Sequence, residues 1–188
     1  MTEIDRISRI IASTGFSCTR CSTCCSAADD DDNLVMVTPE EIRKIMGELG
    51  LSWQEVAEPY PETITREGGQ VFTIGWCLVR RNGICRFLKN GNCSIYEHRP
   101  WICRTYPFSL DGDMVMTHPC PGLGCPITRK DARTIARDLI KRKNAERLDE
   151  EKIRRVLQEN PVLPERFVVI DNEGMKEAPQ KQPPNCTV

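Results

Sequence analysis

The sequence predicts a small α+β domain, rich in loop through its middle, with short strands and C-terminal helices. Three observations predict it. Amphipathic helices are clearly signed, only short strand segments lie between them, and eleven cysteines occur in 188 residues, far more than an ordinary domain carries. That length suffices for one domain with a modest core. Such a loop-rich chain is of the kind that metal centres hold together where a core alone does not.

Taken in order, Ile4, Ile7 and Ile11 recur at helical spacing and place a short helix over residues 2–13. The aspartate run 29–32 reads as a loop and "NLVMV" as a short strand. Thr38, Pro39 and Glu41 form the start signal of a helix with Ile42, Ile45, Met46 and Leu49 on its buried side, ended by Gly50. Ser52 with Glu55 starts a shorter helix that stops before Pro59. "QVFTIGWCLV" reads as one buried strand, and "GICRFL", "GNCSIY" and "MVMTH" as strand or turn segments around an Asp111-Gly112-Asp113 hairpin. Thr128 with Asp131 caps a helix bearing Ala132, Ile135, Ala136, Leu139 and Ile140. Asp149 is expected to cap another, carrying Ile153, Val156 and Leu157. "RFVVI" adds a strand, and the tail is too poor in apolar residues to fold. No internal repeat is evident. The expected organisation is a cysteine-cluster metal-binding domain over 1–126 with its N-terminal helix, a helical extension over 127–174, and a disordered tail over 175–188.

The N-terminus lacks the basic and apolar regions of a signal peptide, and the longest near-apolar run, residues 72–79, is too short for a membrane span. The expected setting is cytoplasmic, without membrane association, where structural disulfides are rare and clustered thiols point to metal. The net charge of −1 hides an asymmetry between the strongly acidic stretch 27–62 and the basic stretch 129–159. Both read first as solvated surface, with a docking face for a charged protein partner as the sharper alternative. Nucleic-acid binding is not expected, because aromatic and basic residues do not interleave.

The chemistry sits in "SCTRCSTCCS", residues 17–26. Cys18, Cys21 and Cys24 have the C-x2-C-x2-C spacing of a cluster-binding loop that takes its remaining ligand from elsewhere. Neighbouring side chains tend to diverge, so Cys25 is expected to face a second centre. Cys77, Cys85, Cys93, Cys103, Cys120 and Cys125 follow at longer spacing, and all ten thiols are candidate metal ligands, enough for two four-thiolate centres and two spare. Cys77, in its apolar strand, reads equally as a buried hydrophobe. Cys125 precedes a helix N-terminus, which stabilises a thiolate. Cys186, in the tail, is not expected to bind metal. His98 and His118 read as ordinary polar residues. Paired C-x2-C knuckles typical of structural zinc are absent, so the spacing favours an iron–sulfur cluster, of cubane [4Fe–4S] type, with zinc as the alternative.

"CTRCSTCC" is followed by "CRFLKNGNCSIYEHRPWICRTYPF", residues 85–108. Together these blocks resemble the CxxCxxCC family of zinc- or iron-chelating domains, also called the YkgJ family of cysteine-cluster proteins, over about residues 15–126. The resemblance implies ligand roles for Cys18, Cys21, Cys24, Cys25, Cys85, Cys93, Cys103 and Cys120, with Cys77 and Cys125 as further candidates. It also implies a polar set of Tyr96, Arg99, Pro100 and Arg104. Arg99 and Arg104 are the expected cofactor-binding residues, offsetting the charge of thiolate-bound metal. Pro100 turns the chain to bring Cys103 round. The leading expectation is an iron–sulfur protein that moves electrons or a cluster to a protein partner. Two alternatives stand beside it. One is an S-adenosylmethionine-dependent protein lysine methyltransferase-like enzyme, since the resemblance includes flagellin lysine N-methylases. The other is a structural zinc protein.

Overall fold

A computed structural model describes residues 2–26, 33–66, 69–160 and 167–177. Thr2 caps the first helix, α1 (Glu3–Thr14), through a reciprocal box with Asp5. Ile7 and Ile11 of α1 are fully buried. Thr38 and Glu41 form the same kind of box at α2 (Pro39–Leu49), and Gly50 closes it with φ 66°. The short helix α3 (Trp53–Val56) follows, with Ser52 and Glu55 paired at its start. These starts and stops agree with the sequence reading.

The segment expected as one strand is two. Gly75, with φ +80°, breaks it into β4 (Val71–Ile74) and β5 (Trp76–Leu78), which lie in different sheets. β5 runs between β1 (Met36–Val37) and β2 (Ala57–Pro59), antiparallel to both. β4 pairs with β3 (Ile64–Thr65) on one side and in parallel with β12 (Val168–Asp171) on the other. β13 (Gly174–Glu177) completes this second sheet. Residues 175–177, expected in the tail, are therefore strand. They pair with β12 across a tight turn, and Lys176 reaches the buried Asp171 carboxylate at 2.7 Å. Cys186 lies outside the described residues.

Two small ribbons carry the middle cysteines. β6 (Arg80–Arg81) pairs with β7 (Ile84–Cys85), and β8 (Leu88–Lys89) with β9 (Asn92–Cys93). Their turns are Asn82-Gly83 and Asn90-Gly91, all four residues at positive φ, the type I′ hairpin signature. "RNGIC" and "KNGNC" are thus one hairpin repeated after eight residues, a repeat the sequence reading did not register. Helix α4 (Trp101–Thr105) follows Pro100, and the hairpin β10 (Phe108–Asp111) and β11 (Met114–Thr117) turns where expected.

Among the described residues beyond 126 there is one helix, α5 (Arg129–Glu159). Asp149 does not start another. Neither glycine nor proline interrupts residues 129–159, and ion pairs one turn apart, Arg142–Glu146 and Arg147–Glu151, span the middle of the helix. Ala132, Ala136 and Leu139 share a core with Ile7, Ile11 and Phe108. Ile153, Val156 and Leu157 pack beneath Phe72, Val168 and Ile170. A third core gathers Ile42, Ile45, Val56, Trp76, Leu78, Phe87 and Ile95. No helix among the described residues is long and apolar enough to cross a membrane.

Candidate metal centre

The loop 17–26 is pinned at both ends. Phe16 bridges Leu123 and the Ser17 amide donates to the Gly122 carbonyl at 3.1 Å, while Ser26 bridges Ile84. Ser22 Oγ adds a hydrogen bond of 3.0 Å to the carbonyl of Gly91, in the second repeated hairpin. Gly122 is required at this contact, because a Cβ there would stand 2.2 Å from the Ser17 oxygen. Gly122 of "CPGLGCP" therefore serves to close one chain segment on another. Arg20 and Ser22 take positive φ, and Thr23–Cys25 form a 3₁₀ turn, so the loop winds tightly instead of extending.

This winding brings Cys18, Cys21, Cys24 and Cys25 to the wall of a cavity of about 820 Å³. Cys85 from β7, Cys93 from β9, Cys103 from α4 and Cys120 line the same cavity. Eight of the ten candidate thiols thus converge. Cys77 does not: it is buried in β5, where its thiol approaches the Pro59 carbonyl at 3.8 Å, as a packed small hydrophobe does. Cys125 is also absent from the lining. The thiols of Cys18, Cys21 and Cys24 are exposed and the other five half-buried, so one side of the set faces solvent.

Cys24 and Cys25 do not diverge as the sequence reading expected. Their Sγ atoms lie 3.9 Å apart and share a hydrogen bond, because the 3₁₀ turn bends the backbone that an extended segment would keep straight. That hydrogen bond holds the Cys24 thiol well below the ordinary value and pushes Cys25 up, with burial and the neighbouring Cys85 and Cys103 raising Cys25 further. Burial is also the main cause that raises Cys85, Cys93 and Cys103. Cys21 is lowered by the Thr23 hydroxyl, which donates to its sulfur at 3.3 Å. Burial raises the Tyr106 hydroxyl, helped by Cys120, Cys24 and Cys21.

Arg99 is the principal cation facing the thiols. Its charge favours the thiolate at Cys24, Cys93 and Cys103. It is held by a hydrogen bond to the Tyr96 carbonyl at 2.8 Å and by the Tyr96 ring, 3.5 Å below the guanidinium. Arg104 braces it, donating to the Arg99 carbonyl at 2.6 Å. Sequence reasoning missed the far wall, where α5 supplies Asp131, Thr134, Ile135, Asp138 and Arg142. Those positions carry no motif, and only the packing of α5 against α1 and α4 turns them inward.

The donor set fits a soft metal. Several buried thiols repel one another as thiolates and stay protonated unless a cation compensates them, which is the condition a thiophilic metal meets. Among the described residues no three His, Cys, Asp or Glu side chains stand close enough to share one ion. The thiols line a shared volume.

An α+β fold whose cysteines converge on one cavity defines a cysteine-cluster, metal-chelating protein. Residues 17–121 match the CxxCxxCC family, described as "Putative zinc- or iron-chelating domain", and the chain belongs to that family. It is similar to "Uncharacterized protein MJ0661" of Methanocaldococcus jannaschii, 31% identical over 108 residues, which cover 55% of this chain and 52% of that protein. The chain thus spans about half the length of the curated relative it matches. No solved structure matches.

Proposed function

We propose that this chain is a cytoplasmic iron–sulfur protein that carries two cubane [4Fe–4S] centres in its thiol-lined cavity and passes electrons or a cluster to a protein partner. One observation carries the reading: eight thiols line a single cavity whose volume, about 820 Å³, far exceeds what one ion needs. Eight thiols suffice for two sets of four. We group Cys18, Cys21 and Cys24 of the loop with Cys120, which neighbours Cys21 and Cys24 around Tyr106. We group Cys25 with Cys85, Cys93 and Cys103, and Cys24, which acts on Cys21 as well as on Cys25, Cys93 and Cys103, stands between the two. The sets meet at the adjacent pair, Cys24 and Cys25.

In this reading each set of four holds one centre, and a bound cluster supplies one-electron chemistry. Arg99 offsets the thiolate charge, Tyr96 keeps its guanidinium in place, and Arg104 holds its backbone carbonyl. Cys18, Cys21 and Cys24 are exposed residues and give the first set a solvent-facing side, which transfer to a partner requires. Anaerobic purification with iron, sulfide and zinc analysis tests the proposal. Iron with acid-labile sulfide is expected, and colourless protein with stoichiometric zinc overturns it.

A second reading, structural zinc, is favoured by one distance. The 3.9 Å between Cys24 and Cys25 Sγ matches the edge of a ZnS4 tetrahedron, roughly 3.8 Å for a Zn–S bond of about 2.3 Å.

A further inference from the structure

We propose that the outward face of α5 is the docking face for an acidic protein partner. The proposal rests on the transfer reading for its purpose, though not for the binding itself. Lys130, Arg137, Lys141, Lys152 and Arg155 fall at i, i+7, i+11, i+22 and i+25, which on a helix of 3.6 residues per turn is one line. All five are exposed, opposite the buried Ala132, Ala136 and Leu139. At about 1.5 Å per residue the line runs about 38 Å. Its intervening members are Thr134, Asn144 and Leu148, the last an apolar side chain 47% exposed. Among the described residues Lys130, Lys141, Lys152 and Arg155 have no ion-pair partner, whereas Arg133, Arg142, Lys143 and Arg147 beside them all do.

The position matters as much as the charge. Thr134, on the line, and Asp131 and Asp138, one step round the helix, belong to the cavity wall. A partner seated on the line borders the cavity that holds the thiols. Charge decides what kind of partner fits. Asp131, Asp138 and Asp149 flank the cationic line. They repel a polyphosphate, which is anionic across its whole width, but are met by the mixed charges of a folded acidic protein. Leu148 supplies an apolar centre for such a contact, and one leucine is too little for a membrane surface.

The test uses the full metal-loaded chain and two acidic redox proteins as probes, a plant-type ferredoxin and a flavodoxin, followed by calorimetry. Binding of at least one is expected, weakened tenfold or more between about 20 mM and about 200 mM salt. Arg137→Glu with Lys141→Glu should weaken it at least tenfold, while Lys44→Glu with Lys89→Glu, on other faces, should not. Circular dichroism and metal content should be unchanged in both double variants. The proposal is overturned if neither probe binds, or if the α5 variant binds as wild type. It is also overturned if a short DNA duplex or phosphatidylserine vesicles bind more tightly than the probes and lose binding in the same variant. Self-association abolished by that variant, seen by sedimentation, assigns the face to a second copy and overturns it too. The two readings fail separately. Zinc-loaded protein that still binds a probe through α5 keeps the docking face and removes electron or cluster transfer. Iron-loaded protein that binds neither removes the docking face alone.

Discussion

Cys24 Sγ and Cys25 Sγ share a hydrogen bond at 3.9 Å, at the point where an exposed loop of thiols meets a buried group. Adjacency in the sequence here becomes adjacency in space. Cys24 acts on Cys21 in its own loop and on Cys93 and Cys103 across the cavity, and Cys25 has Cys85 and Cys103 beside it. The pair is a junction.

If the cavity holds two four-thiolate centres, as proposed, substitutions should sort into two groups. Cys21→Ser and Cys120→Ser are expected to remove one centre, and Cys25→Ser and Cys85→Ser the other, each lowering iron per chain by up to half. Paramagnetic resonance of the reduced variants reads which signal is lost. If all four lose the same signal and keep the same residual metal, the cavity holds a single centre.

Metal loading should release protons. Cys85, Cys93 and Cys103 are raised by burial, so in the metal-free protein they are protonated at neutral pH, and a bound metal must displace those protons. Apparent metal affinity is expected to rise with pH between about 6.5 and 8.5. The metal-free fold should respond in the opposite sense. A thiol whose folded value lies above its unfolded value, about 8.5, stabilises the fold below that pH and loses the contribution as pH rises through the folded value. Thermal melts should show the metal-free protein weakening above about pH 8.5. A melting temperature flat to pH 10 would contradict the buried-thiol account.

Asp171 should matter far from the thiols. Its buried carboxylate accepts from Trp76 Nε1 at 2.7 Å and pairs with Lys176 at 2.7 Å, tying β12 and β13 to the core around Trp76. Asp171→Ala leaves the buried Trp76 indole N–H without its acceptor, while Lys176 keeps Glu173 at 2.9 Å, and is expected to cost about 1–3 kcal/mol in denaturant unfolding. A loss under about 1 kcal/mol would show that the hairpin is not anchored there.

Gly122→Ala tests how the loop is held. The added methyl would meet the Ser17 carbonyl at 2.2 Å and force the two segments apart, displacing Cys18 and Cys120 together. Reduced metal content with little change in helical circular dichroism is expected. Full metal content in this variant would mean that the Phe16–Leu123 bridge does not position the site.

Much was legible in the residues themselves. Capping signals at Thr38 and Ser52 and the apolar spacing of Ile7 and Ile11 act within one or two turns, so the starts of α2 and α3 and the course of α1 could be read locally. The C-x2-C-x2-C loop and the block over 85–108 likewise announced a family and a thiol-based chemistry without any fold. Three matters were decided only in three dimensions. Gly75 split one apolar run into two sheets, because β12, nearly a hundred residues away, offers β4 a parallel partner. Cys77 and Cys125 stayed outside the cavity that the other eight thiols line, since burial in β5 and placement beyond the Gly122 turn depend on long-range pairing that spacing does not encode. The adjacent cysteines turned toward each other because a 3₁₀ turn bends the loop where an extended backbone would have parted them. Short-range rules act through neighbouring dihedrals and are written in the sequence, while the position of a thiol in a metal cavity depends on contacts between segments that meet only after folding.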